Sequence, residues 1–394
     1  MTGRPRLLYL ITEDWYFWSH RLDLARAARA AGFDVTIATR VTDHGDRIHG
    51  EGFHVVPISL FRRSRSPLRE LGAIMELIQL YRRVQPNLVH HVAMKPILYG
   101  SLAAWVTRGL VVLNAFAGLG YVFTNPERQG RGLQWVIRKA LRLVIGMSRS
   151  IVLFQNKADR DELVRAGIVQ PSRTCIIAGS GIDINAFSVK PSPQGTPLVV
   201  LPSRMLWDKG VGEFVQAARD LKEKGQVARC VLVGRCDEDN PAAIRREQLA
   251  QWVDEGAVEW WGHRDDMAAV YEGATLVVLP SYREGLPKVL LEAAACGRAI
   301  VATDVPGCRD VVRHGVNGIL VPPKDARALA DAVTTLLKNE KLRDELGRSG
   351  REIAIKEFSA TVVIEQMLAL YRELLCGTGR DSLSRKTIAH EVSS

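Results

Sequence analysis

Residues 190–197 read KPSPQGTP, three prolines and a glycine in eight positions, and no helix or strand interior accepts that composition. On either side of it one pattern repeats: short apolar segments alternate with helical periodicity. That alternation is the strongest constraint on the fold, because strand–helix–strand units pack as parallel sheets with helices over both faces. The first series reads as strands over 6–11, 35–39, 55–58 and 88–91, with helices over 21–31, ended by Gly32, and 68–83. A second series starts at Leu198, and a long helical pattern over 361–375 follows it. The expected architecture is α/β: two doubly wound domains joined near 190–197, with a ligand cleft between their strand carboxyl ends. The polar stretch 377–394 reads as a disordered tail.

The chain has 394 residues, enough for two substantial cores. Its net charge of +10 is uneven. Residues 1–190 hold 26 Lys and Arg against 14 Asp and Glu, and the remainder holds 27 against 29. A basic first half implies an anionic partner. Nucleic acid is disfavoured, since no recognition motif or interleaving of aromatic and basic residues supports it. An anionic membrane surface or a diphosphate-bearing acceptor fits better. The six cysteines form no CxxC pair and show no metal-ligand spacing, so reduced thiols are expected. Strand character begins within a few residues of Met1, which argues against a signal peptide. No apolar run approaches the length of a membrane span.

One stretch concentrates the chemistry. Residues 281–292 read SYREGLPKVLLE and set Glu284 and Glu292 eight positions apart across a loop-to-helix boundary. Before it, the apolar run 274–280 reads as a buried parallel strand. After it, 288–296 carries good helix formers behind a proline in a first-turn position. Strand, glycine turn and helix together aim backbone N–H groups at an anion or a polyol. The plainer alternative makes Glu284 a charge partner of the helix start and Glu292 a solvated helix residue; spacing alone does not choose.

The motif does not stand alone. Glu-x7-Glu around Gly-Leu-Pro resembles the nucleotide-sugar site of family 4 glycosyltransferases, which have the GT-B fold. Residues 299–321 (AIVATDVPGCRDVVRHGVNGILV) and 198–210 (LVVLPSRMLWDKG) resemble the same family, as do 231–234, 262–265 and 179–183. The likeness implies two Rossmann-like domains facing across a cleft: an acceptor-binding domain over 1–189 and a donor-binding domain over 198–360. It also implies that the helix 361–376 crosses back onto the first.

The resemblance assigns roles by position. Arg204 and Lys209 would hold and neutralise the departing diphosphate, and with Glu284 they form the expected catalytic set. Glu284 would bind hydroxyls of the transferred sugar and Glu292 the ribose, with the amides of Gly285 and Leu286 completing those contacts. Gly234, His263 and Arg264 lie at further strand ends, toward the base and ribose. His263 is equally well read as a satisfied loop histidine. The two cations take over a metal's task, so no metal and no other cofactor is expected. The acidic clusters near 237–239 and 265–266 do not precede a diphosphate loop.

The first half carries acceptor signals. Residues 13–21 (EDWYFWSHR) read as a loop after the first strand, with His20 placed to act on a hydroxyl and Trp15, Phe17 and Trp18 either stacking on sugars or filling core. Residues 89–100 and 111–123 resemble the subset of the family that extends undecaprenyl-diphosphate-linked glycans, which places Lys95, His91, Gly118 and Tyr121 at the acceptor. His90 and His91 are adjacent, so in a strand one points in and one out. Where several family members have a histidine near the reacting carbon, this chain has Ala117. No nucleophile is assigned. Residues 61–69 (FRRSRSPLR) form a basic cluster in which Arg62, Arg63 and Arg65 read as membrane contacts. Residues 131–146 place Leu133, Val136, Ile137, Leu141, Val144 and Ile145 on one helical face and Arg138, Lys139 and Arg142 opposite. Both an interfacial helix and a core-facing one fit; the core-facing reading is preferred.

The function expected from all this is a retaining glycosyltransferase. It would move a sugar from a nucleotide-diphosphate donor, a uridine one by preference, to a lipid-linked glycan acceptor at the inner face of the cytoplasmic membrane. The competing reading is a non-catalytic nucleotide-sugar-binding or scaffold protein of the same fold. A dinucleotide enzyme fits poorly, because the first strand is followed by EDWYFW and not by G-x-G-x-x-G.

Overall fold

The computed structural model describes residues 3–61, 66–119, 131–147, 150–191, 193–238 and 240–377. The expected tail lies outside them, apart from Gly377. By contact the chain divides into two units: Met1–Ser180 with Val363–Ser394, and Gly181–Val362. Residues 181–189, read from sequence as the end of the first domain, group with the second unit. Ile182 exchanges backbone hydrogen bonds with Phe358 and Ala360, and Arg351 donates to the carbonyls of Ile184 and Phe187.

The first unit is built on seven strands: β1 (Arg6–Glu13), β2 (Asp34–Arg40), β3 (His54–Pro57), β4 (Leu88–Val92), β5 (Val111–Ala115), β6 (Ser150–Phe154) and β7 (Thr174–Ile176). They pair in parallel in the order β3-β2-β1-β4-β5-β6-β7. The central strands are buried almost end to end, as expected when helices cover both faces of a sheet. On one face Leu7, Tyr9, Phe17, Ile37 and Leu113 share a core with Val363, Met367, Leu370, Tyr371 and Leu374 of the last helix, Ala360–Cys376. On the other, Leu8, Leu10 and Val89 pack against Leu77 and Tyr81 of the helix Pro67–Val84.

Two expectations change here. Residues 13–21 are not a loop: β1 runs through Glu13 straight into the helix Asp14–His20, and Phe17 is a core residue. In the helix Arg131–Met147, Leu141, Val144 and Ile145 are buried with Ile137 packed on them, but Val136 is 53% exposed beside the exposed Trp135 and Leu143. The core-facing stripe is therefore narrower than the apolar pattern drawn from sequence.

The second unit carries six strands: β8 (Leu198–Pro202), β9 (Arg229–Val233), β10 (Glu259–Trp260), β11 (Leu276–Leu279), β12 (Ala299–Thr303) and β13 (Gly318–Val321). Their order is β10-β9-β8-β11-β12-β13, again all parallel. Its core joins Val199, Leu201, Phe214, Leu232, Val278 and Val301 with Leu329 and Val333. In each sheet the chain builds outward in one direction and then returns to the centre to build the other way. The reversal falls between β1 and β4 in the first sheet and between β8 and β11 in the second, and at such points the strand ends leave a crevice for ligands.

Candidate active site

The second unit's reversal point is closed by loops rather than by side chains alone. After β8, a turn over Trp207–Lys209 leads through Gly210 into the helix Val211–Glu223. Gly210 has φ +70°, and a Cβ there would lie 2.1 Å from the Pro280 carbonyl oxygen just beyond β11. Only glycine allows the two loops this close. The Tyr282 amide then donates to the Asp208 carbonyl at 2.9 Å and joins them. The backbone thus brings Lys209 to the Glu284 loop from a position 75 residues earlier.

Glu284 is the centre of the resulting cluster. Its Oε1 accepts from Lys209 Nζ at 2.5 Å and from Ser281 Oγ at 2.7 Å, with the glutamate side chain 11% exposed. Ser281 itself is buried, and its carbonyl accepts from Thr303 Oγ1 of β12. The Glu284 amide donates to the Pro306 carbonyl at 3.2 Å, so the loop is held to the strand beyond. Arg204 lies on the same β8 loop, with Nη1 donating to Asp237 Oδ2 at 2.7 Å. Each expected diphosphate cation is therefore already on a carboxylate: Lys209 on Glu284, Arg204 on Asp237. Sequence reasoning missed Ser281 and Asp237. Ser281 was legible as the first polar residue after the β11 run, but nothing local ties Asp237 to a residue 33 positions away.

Glu292 is not the solvated helix residue of the plainer reading. It lies on the helix Lys288–Ala295 with its side chain 13% exposed. Its Oε2 accepts from the Tyr271 hydroxyl at 2.8 Å, and its Oε1 is 3.8 Å from Lys288 Nζ. Burial pushes its carboxyl above the usual range, against the opposing pull of Lys288 and the Tyr271 hydrogen bond. A helix that starts at Lys288 leaves Gly285 and Leu286 in the entering loop, half-buried, ahead of Pro287.

The remaining donor-side residues sit at neighbouring strand ends. Gly234 follows β9; its amide donates to Gly262 at 2.7 Å and its carbonyl accepts from Trp260 Nε1 at 2.9 Å. A Cβ at Gly234 would lie 1.7 Å from the Ser203 carbonyl oxygen, so this close approach also requires glycine. His263 is exposed, with Nε2 3.3 Å from Asp265. Arg264 forms two hydrogen bonds with Asp266, at 2.7 and 2.5 Å.

The first unit treats its expected residues differently. His91 is fully buried: its Nε2 pairs with the Tyr81 hydroxyl at 2.8 Å and its Nδ1 with Asn114 Oδ1 at 2.8 Å. Burial lowers its pKa to about 4, so the ring is uncharged near neutral pH, with both nitrogens taken up by core partners. His90 is equally buried on the opposite face, with Nδ1 2.7 Å from the Tyr371 hydroxyl, which in turn is 3.0 Å from the Tyr9 hydroxyl. The expectation that one of the pair points outward fails because helices cover both faces. His20, half-buried, ends its helix stacked on Tyr16 at 4.3 Å, and its Nδ1 is 2.6 Å from Ser19 Oγ. Lys95 donates to Glu70 Oε1 at 2.9 Å and to the Phe61 carbonyl at 2.7 Å. Gly118 is half-buried with φ +105°. Tyr121, Arg62, Arg63 and Arg65 lie outside the described residues.

The helix that follows β1 opens on a residue that sequence reading passed over. Asp14 is buried and accepts from the Thr42 amide at 2.6 Å and hydroxyl at 2.5 Å, the His44 amide at 2.9 Å and the Trp15 amide at 2.8 Å. Burial alone would raise its pKa, but these four donors outweigh it and hold the carboxyl below its ordinary range. Among the described residues no helix is long and apolar enough to cross a membrane.

Comparison with known proteins identifies the family and the fold class. Residues 196–339 match the family described as "Glycosyl transferases group 1", and residues 6–155 match "Glycosyl transferase 4-like". The chain is 26% identical over 368 residues to the N,N'-diacetylbacillosaminyl-diphospho-undecaprenol alpha-1,3-N-acetylgalactosaminyltransferase of Campylobacter jejuni, covering 90% of this chain and 95% of that protein. It is 31% identical over 283 residues to the alpha-maltose-1-phosphate synthase of Mycolicibacterium smegmatis, covering 64% of this chain and 69% of that one. The structure of Anabaena HepE in complex with UDP superposes with a TM-score of 0.75 at 19% identity, covering 93% of this chain and 100% of HepE. The fold, two parallel-sheet halves, is that of the GT-B class. The chain belongs to the family 4-like glycosyltransferases.

Proposed function

We propose that this glycosyltransferase moves a sugar, with retention at the anomeric carbon, from a uridine-diphosphate donor to a lipid-diphosphate-linked glycan in bacterial surface polysaccharide or glycan assembly. The single observation that carries the donor half is the cluster at the β8–β11 reversal, where Lys209, Ser281 and Glu284 meet within hydrogen-bond distance. The acceptor half draws on the activity of the Campylobacter relative, and uridine on the UDP bound by HepE.

In this reading Arg204 and Lys209 receive the diphosphate, Glu284 accepts from hydroxyls of the transferred sugar, and Glu292 accepts from the ribose. A diphosphate entering beside Lys209 shares that ammonium with Glu284, whose other oxygen is then open to a sugar hydroxyl. The bond from the anomeric carbon to the diphosphate oxygen breaks as the acceptor oxygen bonds to the same face. The acceptor proton passes to the departing phosphate, and the two cations balance the charge left there. No metal ion is called for. The basic character of residues 1–190 supports contact with an anionic leaflet or with the acceptor's own diphosphate at the cytoplasmic membrane face.

The test is a thermal-shift panel with UDP, GDP, ADP and CDP on wild type and Glu292→Ala, followed by transfer assays on a lipid-diphosphate glycan with and without EDTA. Stabilisation by UDP that the variant loses, and EDTA-insensitive product with the donor's anomeric configuration, are expected. Binding without transfer to any lipid-linked acceptor, unchanged in Glu284→Ala, would instead support a non-catalytic binding protein.

A further inference from the structure

Just 13% of the Glu292 side chain is exposed, so what a ligand can reach of it depends on how the carboxylate is held. Two neighbours touch it. Lys288 lies one turn earlier on the same helix at 3.8 Å, on a flexible stem that is itself 35% exposed. Tyr271 comes from a different helix, Met267–Gly273, and is fully buried. Its ring lies 6.2 Å from that of Phe187, and its hydroxyl donates to Glu292 Oε2 at 2.8 Å. A phenol ring has two side-chain torsions, and here the packed ring fixes both, so the position of its hydroxyl oxygen is set by the core. A carboxylate offers about four acceptor positions. Tyr271 takes one of them and anchors Oε2, leaving positions on the group for a ligand beside Lys288.

We infer that Tyr271 is a positioning residue that holds Glu292 in the orientation that accepts the ribose hydroxyls of the nucleotide. The inference rests on the ribose role of Glu292 proposed above. It has a consequence that core packing alone would not produce. Tyr271 acts on the ribose through Glu292 and has no route to the phosphates, so its hydroxyl matters only to a ligand that has ribose hydroxyls.

The experiment is calorimetric titration of full-length wild type, Tyr271→Phe, Glu292→Gln and the double variant with UDP and with 2′,3′-dideoxy-UDP. Tyr271→Phe keeps the buried ring, and its melting temperature is recorded alongside. The expected result is a loss of about tenfold in UDP affinity, the scale of one hydrogen bond to a charged group. Binding of the dideoxy nucleotide should be unchanged, and the hydroxyl should make no further difference in the Glu292→Gln background. Equal weakening of both nucleotides by Tyr271→Phe would overturn the inference and make Tyr271 a packing residue. Wild-type affinity for both would overturn it as well. If Glu292→Gln itself binds UDP as wild type does, the ribose reading falls first, and the inference with it.

Discussion

The two sheets reverse direction at equivalent points, yet the polar residues found there have opposite fates. At β8–β11 Lys209, Ser281 and Glu284 belong to the loops past the strands, and they meet around one carboxylate that keeps an exposed edge. At β1–β4 the histidines His90 and His91 belong to β4 itself, and each is sealed under a helix by tyrosine. A parallel sheet covered on both faces has no outward side for a strand residue. Polar side chains within a strand must therefore find partners in the core, whereas those in the loops beyond its carboxyl end can keep an exposed edge. Position relative to the strand end decides the role more than residue type does.

The sharpest way to break this contrast is to remove a loop group from the second unit and a strand group from the first. Lys209→Ala should lower the rate of transfer by 10²–10³-fold, about 3–4 kcal/mol of transition-state stabilisation. It should leave the melting temperature nearly unchanged, because Glu284 keeps Ser281. Steady-state rates beside a thermal melt read both quantities.

His91→Ala should do the reverse. It strips Tyr81 and Asn114 of a shared partner and opens a hole, at a cost of about 3 kcal/mol in stability. The folded fraction should keep its kcat. Together with His90, whose pKa burial also lowers, the same histidine gives the first unit an acid limit. Its pKa in the fold is depressed to about 4 from 6.5, so the neutral form is favoured and the stability it contributes is present above pH 6.5. That stability drains away as pH falls toward 4, by about 1.4 kcal/mol per pH unit. Hydrogen exchange of β4 peptides between pH 7 and 5 should show faster opening in acid. Exchange independent of pH after intrinsic-rate correction would mean that His91 is not the titrating group.

A subtler change sharpens the contrast from the backbone side. Gly210→Ala places a methyl against the Pro280 carbonyl at positive φ, and should cost about 2 kcal/mol while drawing Lys209 away from Glu284. Activity should fall more than the melting temperature does, and nucleotide titration would show weaker diphosphate binding.

The smallest expected effect concerns the free protein. Burial raises the carboxyl of Glu292, so its ionised form is destabilised in the fold and its stability contribution falls as pH rises through the raised value. Glu292→Gln should therefore melt higher than wild type by roughly 2 °C near pH 8. The gap should close as the buffer is made acidic, and nucleotide binding should weaken throughout. A variant that melts lower at pH 8 would show that the buried charge is compensated fully by Tyr271 and Lys288.

The alternation of apolar runs and helical periods determined two parallel sheets, and the strands drawn from it at 6–11, 35–39 and 88–91 lie inside β1, β2 and β4. Such periodicity survives because it is the condition for burying each element locally. The placement of Glu284 on a loop and of Glu292 on the helix after it was likewise legible, since both lie on one continuous segment. What only the tertiary structure decided was which distant groups meet them. Lys209 reaches Glu284 across 75 residues, Tyr271 reaches Glu292 across 21, and Arg204 reaches Asp237 across 33. These meetings depend on strand order and on two glycines that let carbonyls approach where no Cβ fits. Sequence spacing carries no record of such distances, because a contact between elements is set by how the sheet is wound and not by the residues between them. The burial of His90 and His91 was decided in the same way: the strand was readable, but the helices laid over both its faces belong to segments far along the chain.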